Sequence, residues 1–233
     1  MTETPTLIDY ENSVFIHHHL GLGDHIVCNG MVRFISKTLK DKKLYVVVKQ
    51  RNAESVFDMY RDNPQIEPYP VIDDDGFYKT NLEWDRLKLI RAGFEKCRRI
   101  DWAVSLYDSV NIPFLERWDS FYYKRDNVKE QSVIDALDLP SEFVLVHNVS
   151  SVEKFELKFT TNLPIVFVRP IKSCSMFAWL GVVEKAKEVH CIDSSFAHLV
   201  ESFKRINNNL TFHDAKNDGV IFSKRQNWNF IKY

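Results

Sequence analysis

Residues 14–34 read Val-Phe-Ile-His-His-His-Leu-Gly-Leu-Gly-Asp-His-Ile-Val-Cys-Asn-Gly-Met-Val-Arg-Phe. An apolar β-run, Val14–His19, breaks at Gly21-Leu22-Gly23-Asp24 into a helix expected from about Asp24 to Leu39. A strand that turns through two glycines into a helix presents free backbone N–H groups and the positive end of a dipole, here with a carboxylate beside them. Open α/β folds place ligands at that edge of the sheet. The stretch therefore predicts an α/β architecture and one wall of a site made by Gly21, Gly23 and Asp24. The dinucleotide fingerprint Gly-x-Gly-x-x-Gly is absent, because the next glycine is Gly30. On spacing alone the two glycines fit a bare tight turn equally well.

Outward from this motif, β-runs and helical patterns alternate as in parallel βαβ units: a strand at Lys43–Val48 and a helix around Ala53–Tyr60. Trp84–Phe94 reads as a strand or a short helix, Trp102–Val104 as a short strand, and Leu106–Ile112 as a helix stopped by Pro113. Residues 114–140, rich in aromatics and charge with a helical pattern at Asn127–Leu137, read as a connection between two lobes. A second series follows: strand Phe143–His147, loop Asn148–Phe155, strand Ile165–Val168, a helix around Met176–Lys187, strand Val189–Ile192 and a helix at Ser194–Phe203. A polar turn at Lys204–Leu210 leads to a last strand, Leu210–His213, and the aromatic tail is expected to pack back on the body.

The second motif is Val189-His190-Cys191-Ile192-Asp193-Ser194-Ser195-Phe196-Ala197-His198-Leu199. Here too a strand ends in a polar cluster that opens a helix. Asp193 or Ser194 can cap that helix and leave its N–H groups for an anion such as a diphosphate. Simple capping explains those two residues but not His198, about one turn further on.

Together, Gly21-Leu22-Gly23-Asp24 and Asp193-Ser194-Ser195-Phe196-Ala197-His198-Leu199 resemble the heptosyltransferase type of GT-B glycosyltransferase. The resemblance covers two short segments and the two-lobe order. The chain is shorter than typical members, and Ser195 stands where the family usually has glycine, which marks a small, divergent branch. The resemblance implies two Rossmann-like lobes with parallel sheets facing a central cleft. It divides the chain into an acceptor-side lobe, residues 1–125, a nucleotide-sugar-binding lobe, residues 126–215, and a tail, residues 216–233. It implies that Asp24 is the general base that deprotonates the acceptor hydroxyl as it attacks the anomeric carbon, with inversion. It places Ser194, Ser195 and His198 on the diphosphate or ribose of a GDP-, UDP-, ADP- or dTDP-linked sugar. The acceptor is a glycan or glycolipid, and no metal or other cofactor is expected.

The departing diphosphate gathers negative charge and requires cations. Arg169, ending the strand before Pro170, is the preferred choice, with Lys172 and Lys154 as further choices, although each reads equally as a surface charge. His147, after its strand, is expected to line the cleft. Asp73-Asp74-Asp75 can be read as the Asp-x-Asp of a metal-dependent GT-A-type transferase. Pro68, Pro70 and Gly76 around it favour a plain turn. His17-His18-His19 alternate across a strand and lack a third spaced ligand for zinc. Arg117–Tyr123 reads as a pin holding the connection to a lobe in preference to a sugar-stacking platform, and Arg33 as structural. A nucleotide-sugar-binding module without turnover is the alternative from a different functional class.

Composition narrows the field. The chain has 233 residues, 45% hydrophobic and 27% charged, enough for one large domain or two of about 100 residues each. A net charge of -1 carries no electrostatic footprint for nucleic acid. No apolar run approaches the roughly 20 residues that span a bilayer, and the N-terminus lacks the pattern of a signal peptide. The 4 cysteines lack Cys-x-x-Cys spacing and read as reduced, mostly buried thiols, placing the protein in the cytoplasm.

Overall fold

A computed structural model describes residues 8–95, 97–203, 209–217 and 219–233. Two all-parallel sheets form its frame. The first has strand order β3-β2-β1-β4, built from β1 (Ser13–His17), β2 (Lys43–Lys49), β3 (Ile66–Val71) and β4 (Leu89–Arg91). The second has order β6-β5-β7-β8-β9, built from β5 (Val144–His147), β6 (Ile165–Phe167), β7 (Glu188–Ile192), β8 (Asn209–Asp214) and β9 (Trp228–Lys232). The inner strands read as continuous apolar runs because both faces are covered: β1 is buried from Ser13 to His17, and β2 from Leu44 to Val48.

Helix α1 (Leu22–Thr38) runs back from β1 and packs against α7 (Ser195–Ser202), the helix after β7. One face of the first sheet, through Val14, Ile16, Val46 and Val48, meets α1 and α2 (Ala53–Tyr60) in the main core. The opposite face, through Phe15, Tyr45 and Val47, is closed by Phe77 and the excursion between β3 and β4. Leu145, Val189, Cys191 and Phe212 of the second sheet form a separate core with α5 (Asn127–Asp135), α6 (Leu180–Lys185) and α7.

Several elements differ from the sequence reading. Ile66–Val71 is a strand despite Pro68 and Pro70. It pairs only with β2, and prolines two residues apart place both missing N–H groups on the open side of an edge strand. Trp102–Val104 is no strand but the start of α3 (Trp102–Asp108), and the helix expected at Leu106–Ile112 ends with it, because Ala103, Leu106 and Tyr107 form a buried helical stripe. Trp84–Phe94 holds a short 3₁₀ turn and then β4. Residues 228–232 form an edge strand hydrogen-bonded parallel to β8. Most of the polar turn expected at Lys204–Leu210 lies outside the described residues.

Two buried carboxylates tie the connecting segment to the body. Asp58 on α2 accepts hydrogen bonds from the Tyr123 hydroxyl at 3.1 Å and the Ser175 hydroxyl at 2.6 Å. Glu201 on α7 accepts from Trp118 Nε1 at 3.1 Å, Trp228 Nε1 at 2.7 Å and the backbone of Arg225. Trp118, in the short helix α4 (Glu116–Asp119), and Tyr123 are buried, so the aromatic segment acts as a pin. Arg33 pairs with Asp62 at 2.8 Å, away from the Gly21–Asp24 turn.

Candidate functional site

Parallel strands in both sheets end toward one cavity of about 820 Å³ between the lobes. It is lined by residues that follow the carboxyl ends of six strands: Gly21, Gly23 and Asp24 after β1, Arg51 and Asn52 after β2, His147 at the end of β5, Arg169 after β6, Asp193 to Ser195 after β7 and Lys216 after β8. This is the ligand edge of an α/β sheet, duplicated and turned to face itself. A volume of this size lies within the range of small-molecule sites.

On the first wall, Asp24 sits in the opening turn of α1 and its Oδ2 accepts the Gly21 N–H at 3.0 Å. A side chain at Gly21 would press on that oxygen at 2.5 Å, so glycine here makes room for the carboxylate. Burial, with the nearby Asp193, raises the Asp24 pKa to about 6, against a lowering pull from His19 and the Gly21 N–H.

On the second wall, Ser194 is the N-cap of α7, its Oγ accepting the Ala197 N–H at 3.3 Å. Its Oγ also lies 3.1 Å from His147 Nδ1. The His147 ring stacks on Phe196 at 5.0 Å, and burial lowers its pKa to about 4, leaving it neutral. Asp193 Oδ1 lies 3.4 Å from His198 Nε2 and Oδ2 lies 3.6 Å from Lys216 Nζ. Burial works to raise the Asp193 pKa, yet these two partners hold it below the ordinary carboxylate value. Burial lowers that of His198, which keeps the ring neutral.

The two walls touch at Gly23. A Cβ there would come 3.4 Å from His198 Cδ2 and 3.5 Å from Ser195 Cα. Asp24, one residue on, lines the same cavity as Asp193, Ser194 and Ser195.

Of the residues expected in the site, Gly21, Gly23, Asp24, His147, Arg169, Asp193, Ser194, Ser195 and His198 line this cavity. Lys172 does not: it is exposed on the turn after Pro170, outside the lining. Lys154 lies elsewhere, its Nζ 5.5 Å from the centre of the Phe167 ring. Asp73 to Asp75 form a turn off the cavity, with Asp74 paired to Lys49 at 2.6 Å.

Sequence reading missed Arg51, Asn52 and Lys216, although each follows a strand by two or three residues and the strand-end rule applied elsewhere would have found them. It also missed Arg117 as a partner of the site. This side chain is 0% exposed and reaches His198 from behind the cavity wall, a long-range contact that no local pattern announces. No helix among the described residues is long and apolar enough to cross a membrane.

Neither a protein-family model nor a curated protein sequence matches the chain. Among solved structures it is similar to a glycosyl transferase family 9 protein from Veillonella parvula, with 10% identity, a TM-score of 0.57, and coverage of 98% of this chain and 89% of the other. The heptosyltransferase WaaC of E. coli, crystallised with ADP, has 10% identity, a TM-score of 0.49, and coverage of 94% and 90%. TibC, a dodecameric iron-containing glycosyltransferase of enterotoxigenic E. coli, has 10% identity, a TM-score of 0.47, and coverage of 86% and 57%. The first of these likenesses, with the two parallel sheets and the cleft between them, gives the chain the GT-B fold that its two motifs resemble.

Proposed function

We propose that the protein is a glycosyltransferase that moves a sugar from a nucleoside-diphosphate donor to a hydroxyl of a glycan or glycolipid acceptor. The observation that carries this reading is that Asp24 and the N-terminus of α7 line one cavity. The donor diphosphate sits at the α7 N-terminus, where backbone N–H groups and the helix dipole favour an anion. Arg169, Lys216 and Arg51 on the cavity lining supply positive charge.

In the reaction, ionised Asp24 takes the proton from the acceptor hydroxyl while that oxygen attacks the anomeric carbon. The bond from this carbon to the diphosphate oxygen breaks and its electron pair leaves on the diphosphate, where the cations and the helix end stabilise it. Attack from the side opposite the leaving group inverts the anomeric configuration. Protein groups, without a metal ion, carry the leaving-group charge in this scheme. In this reading residues 1–125 form the acceptor side, residues 126–215 the donor side, and residues 216–233 a tail packed on the body.

A thermal-shift panel of ADP-, GDP-, UDP- and dTDP-linked sugars tests it, because a ligand that binds only the folded state raises the apparent Tm. A shift with at least one member, lost in Ser194→Ala with Lys216→Ala, is the expected result. A flat response across the panel contradicts the proposal.

A further inference from the structure

A donor whose diphosphate sits at the α7 N-terminus must bring its anomeric carbon within reach of Asp24, so its sugar ring has to occupy the part of the cavity where the two walls meet. Three residues mark that place. Gly23 of the first wall comes against His198 and Ser195 of the second. Trp102, the first residue of α3, meets the same His198 ring from the first lobe, with centroids 5.6 Å apart and planes at 84°. Trp102 lines the cavity together with Asp24, Asp193 and His198.

We propose that Trp102 is the platform on which the pyranose ring of the donor sugar stacks, which makes it a determinant of binding the sugar as distinct from the nucleotide. This rests on the reading of the α7 N-terminus as the diphosphate site.

Among the aromatic rings on the lining, Trp102 is the one placed to do this. Trp179 is only 2% exposed. His147 already stacks on Phe196 at 5.0 Å, and His198 on Phe222 at 5.2 Å. Trp102 is half-buried, and its ring contact with His198 is edge-to-face, which engages at most one face of the indole. Its indole N–H donates to no described residue, which leaves a donor for a sugar hydroxyl. Aromatic faces carry negative charge density and attract the positively polarised C–H groups of a pyranose face. The position is also fixed relative to the base. Tyr107, on the same helix, donates from its hydroxyl to the Val27 carbonyl at 2.7 Å and accepts the Met31 N–H at 3.2 Å, which ties α3 to α1, the helix that carries Asp24.

Isothermal titration calorimetry on the full chain tests the platform by comparing ADP, GDP, UDP and dTDP with ADP-glucose, GDP-mannose, UDP-glucose, UDP-galactose and dTDP-glucose. For at least one base, the sugar conjugate should bind the wild type about five- to tenfold more tightly than its bare diphosphate. In Trp102→Ala that margin should vanish while the bare diphosphate keeps its wild-type affinity. Trp102→Phe, which retains a ring face, should recover most of it. Should Trp102→Ala fail to fold, Trp102→Leu takes its place, filling the volume without a ring. A margin that survives the loss of the ring overturns the proposal, as does a wild type that binds every conjugate no more tightly than its diphosphate. So does a parallel loss of diphosphate and conjugate, which would mark Trp102 as a structural part of the wall. Those three outcomes leave the donor site at α7 standing. A wild type that binds neither diphosphates nor conjugates defeats that reading itself, and the platform with it.

Discussion

Arg117 donates from Nη2 to Nδ1 of His198 at 3.3 Å. Because a guanidinium has only donors, this contact determines which ring nitrogen bears hydrogen. Nδ1 is the acceptor, so the proton sits on Nε2, which points at Asp193 Oδ1 3.4 Å away. Trp102 and Phe222 confine the ring at 5.6 and 5.2 Å. A cation from the connecting segment thereby orients a carboxylate on the cavity wall through one imidazole. In Arg117→Met, His198 should lose its fixed Nε2–H tautomer and protonate at a higher pH than in the wild type, since burial and the Arg117 charge both disfavour the second proton. ¹⁵N NMR of labelled histidine reads both effects, and an unchanged His198 spectrum would show that Arg117 plays no such part.

Asp24 gives a pH dependence of known sign. Its carboxyl is raised from 3.8 to about 6 in the folded chain, so the folded state holds this proton through a window in which the unfolded chain has released it. The contribution of Asp24 to stability therefore falls as pH rises from about 4 to about 6 and levels off above. Asp24→Asn, whose amide oxygen can still accept the Gly21 N–H, should stabilise the protein at pH 8 by about 2–3 kcal/mol relative to its effect at pH 4. Urea denaturation at the two pH values measures this. Transfer by the wild type should climb through pH 6 as the base form appears.

Much of this was legible from residues alone. Gly21–Asp24 and Asp193–His198 announce themselves because a strand run, a polar break and a helical pattern occur in series, and parallel pairing puts each break at the carboxyl edge of its own sheet. β3 was not legible, because Pro68 and Pro70 resemble turn residues unless the strand is known to lie at a sheet edge. Trp102–Val104 misled because three apolar residues fit strand and helix equally. Arg117 was readable as a pin but not as a partner of His198, since their contact joins positions 81 residues apart.

Gly23 is a point of contact between the walls. Alanine there meets His198 and Ser195 at ordinary van der Waals distance, 3.4 and 3.5 Å, and should be tolerated. Valine adds two methyl groups in the same gap. Gly23→Val should push α1 from α7, lower Tm by several degrees and abolish nucleotide-sugar binding, whereas Gly23→Ala keeps binding within about threefold of wild type. Calorimetry with the thermal-shift panel distinguishes the two outcomes.

Glu201 should matter for stability and leave the chemistry alone. It lies buried beneath the indole N–H groups of Trp118 and Trp228, and its replacement by alanine leaves both donors without an acceptor. Glu201→Ala should lose about 3 kcal/mol in urea unfolding and expose β9 to proteolysis before the first sheet. Loss within about 0.5 kcal/mol would show that the two indoles find other partners.

The most direct measurement is the rate of sugar transfer by Asp24→Asn with a donor that shifts the wild-type Tm. If Asp24 is the base facing a donor held at α7, the donor still binds with near wild-type affinity while kcat falls by about 10²- to 10⁴-fold. A variant that binds the donor and transfers at the wild-type rate would contradict the account.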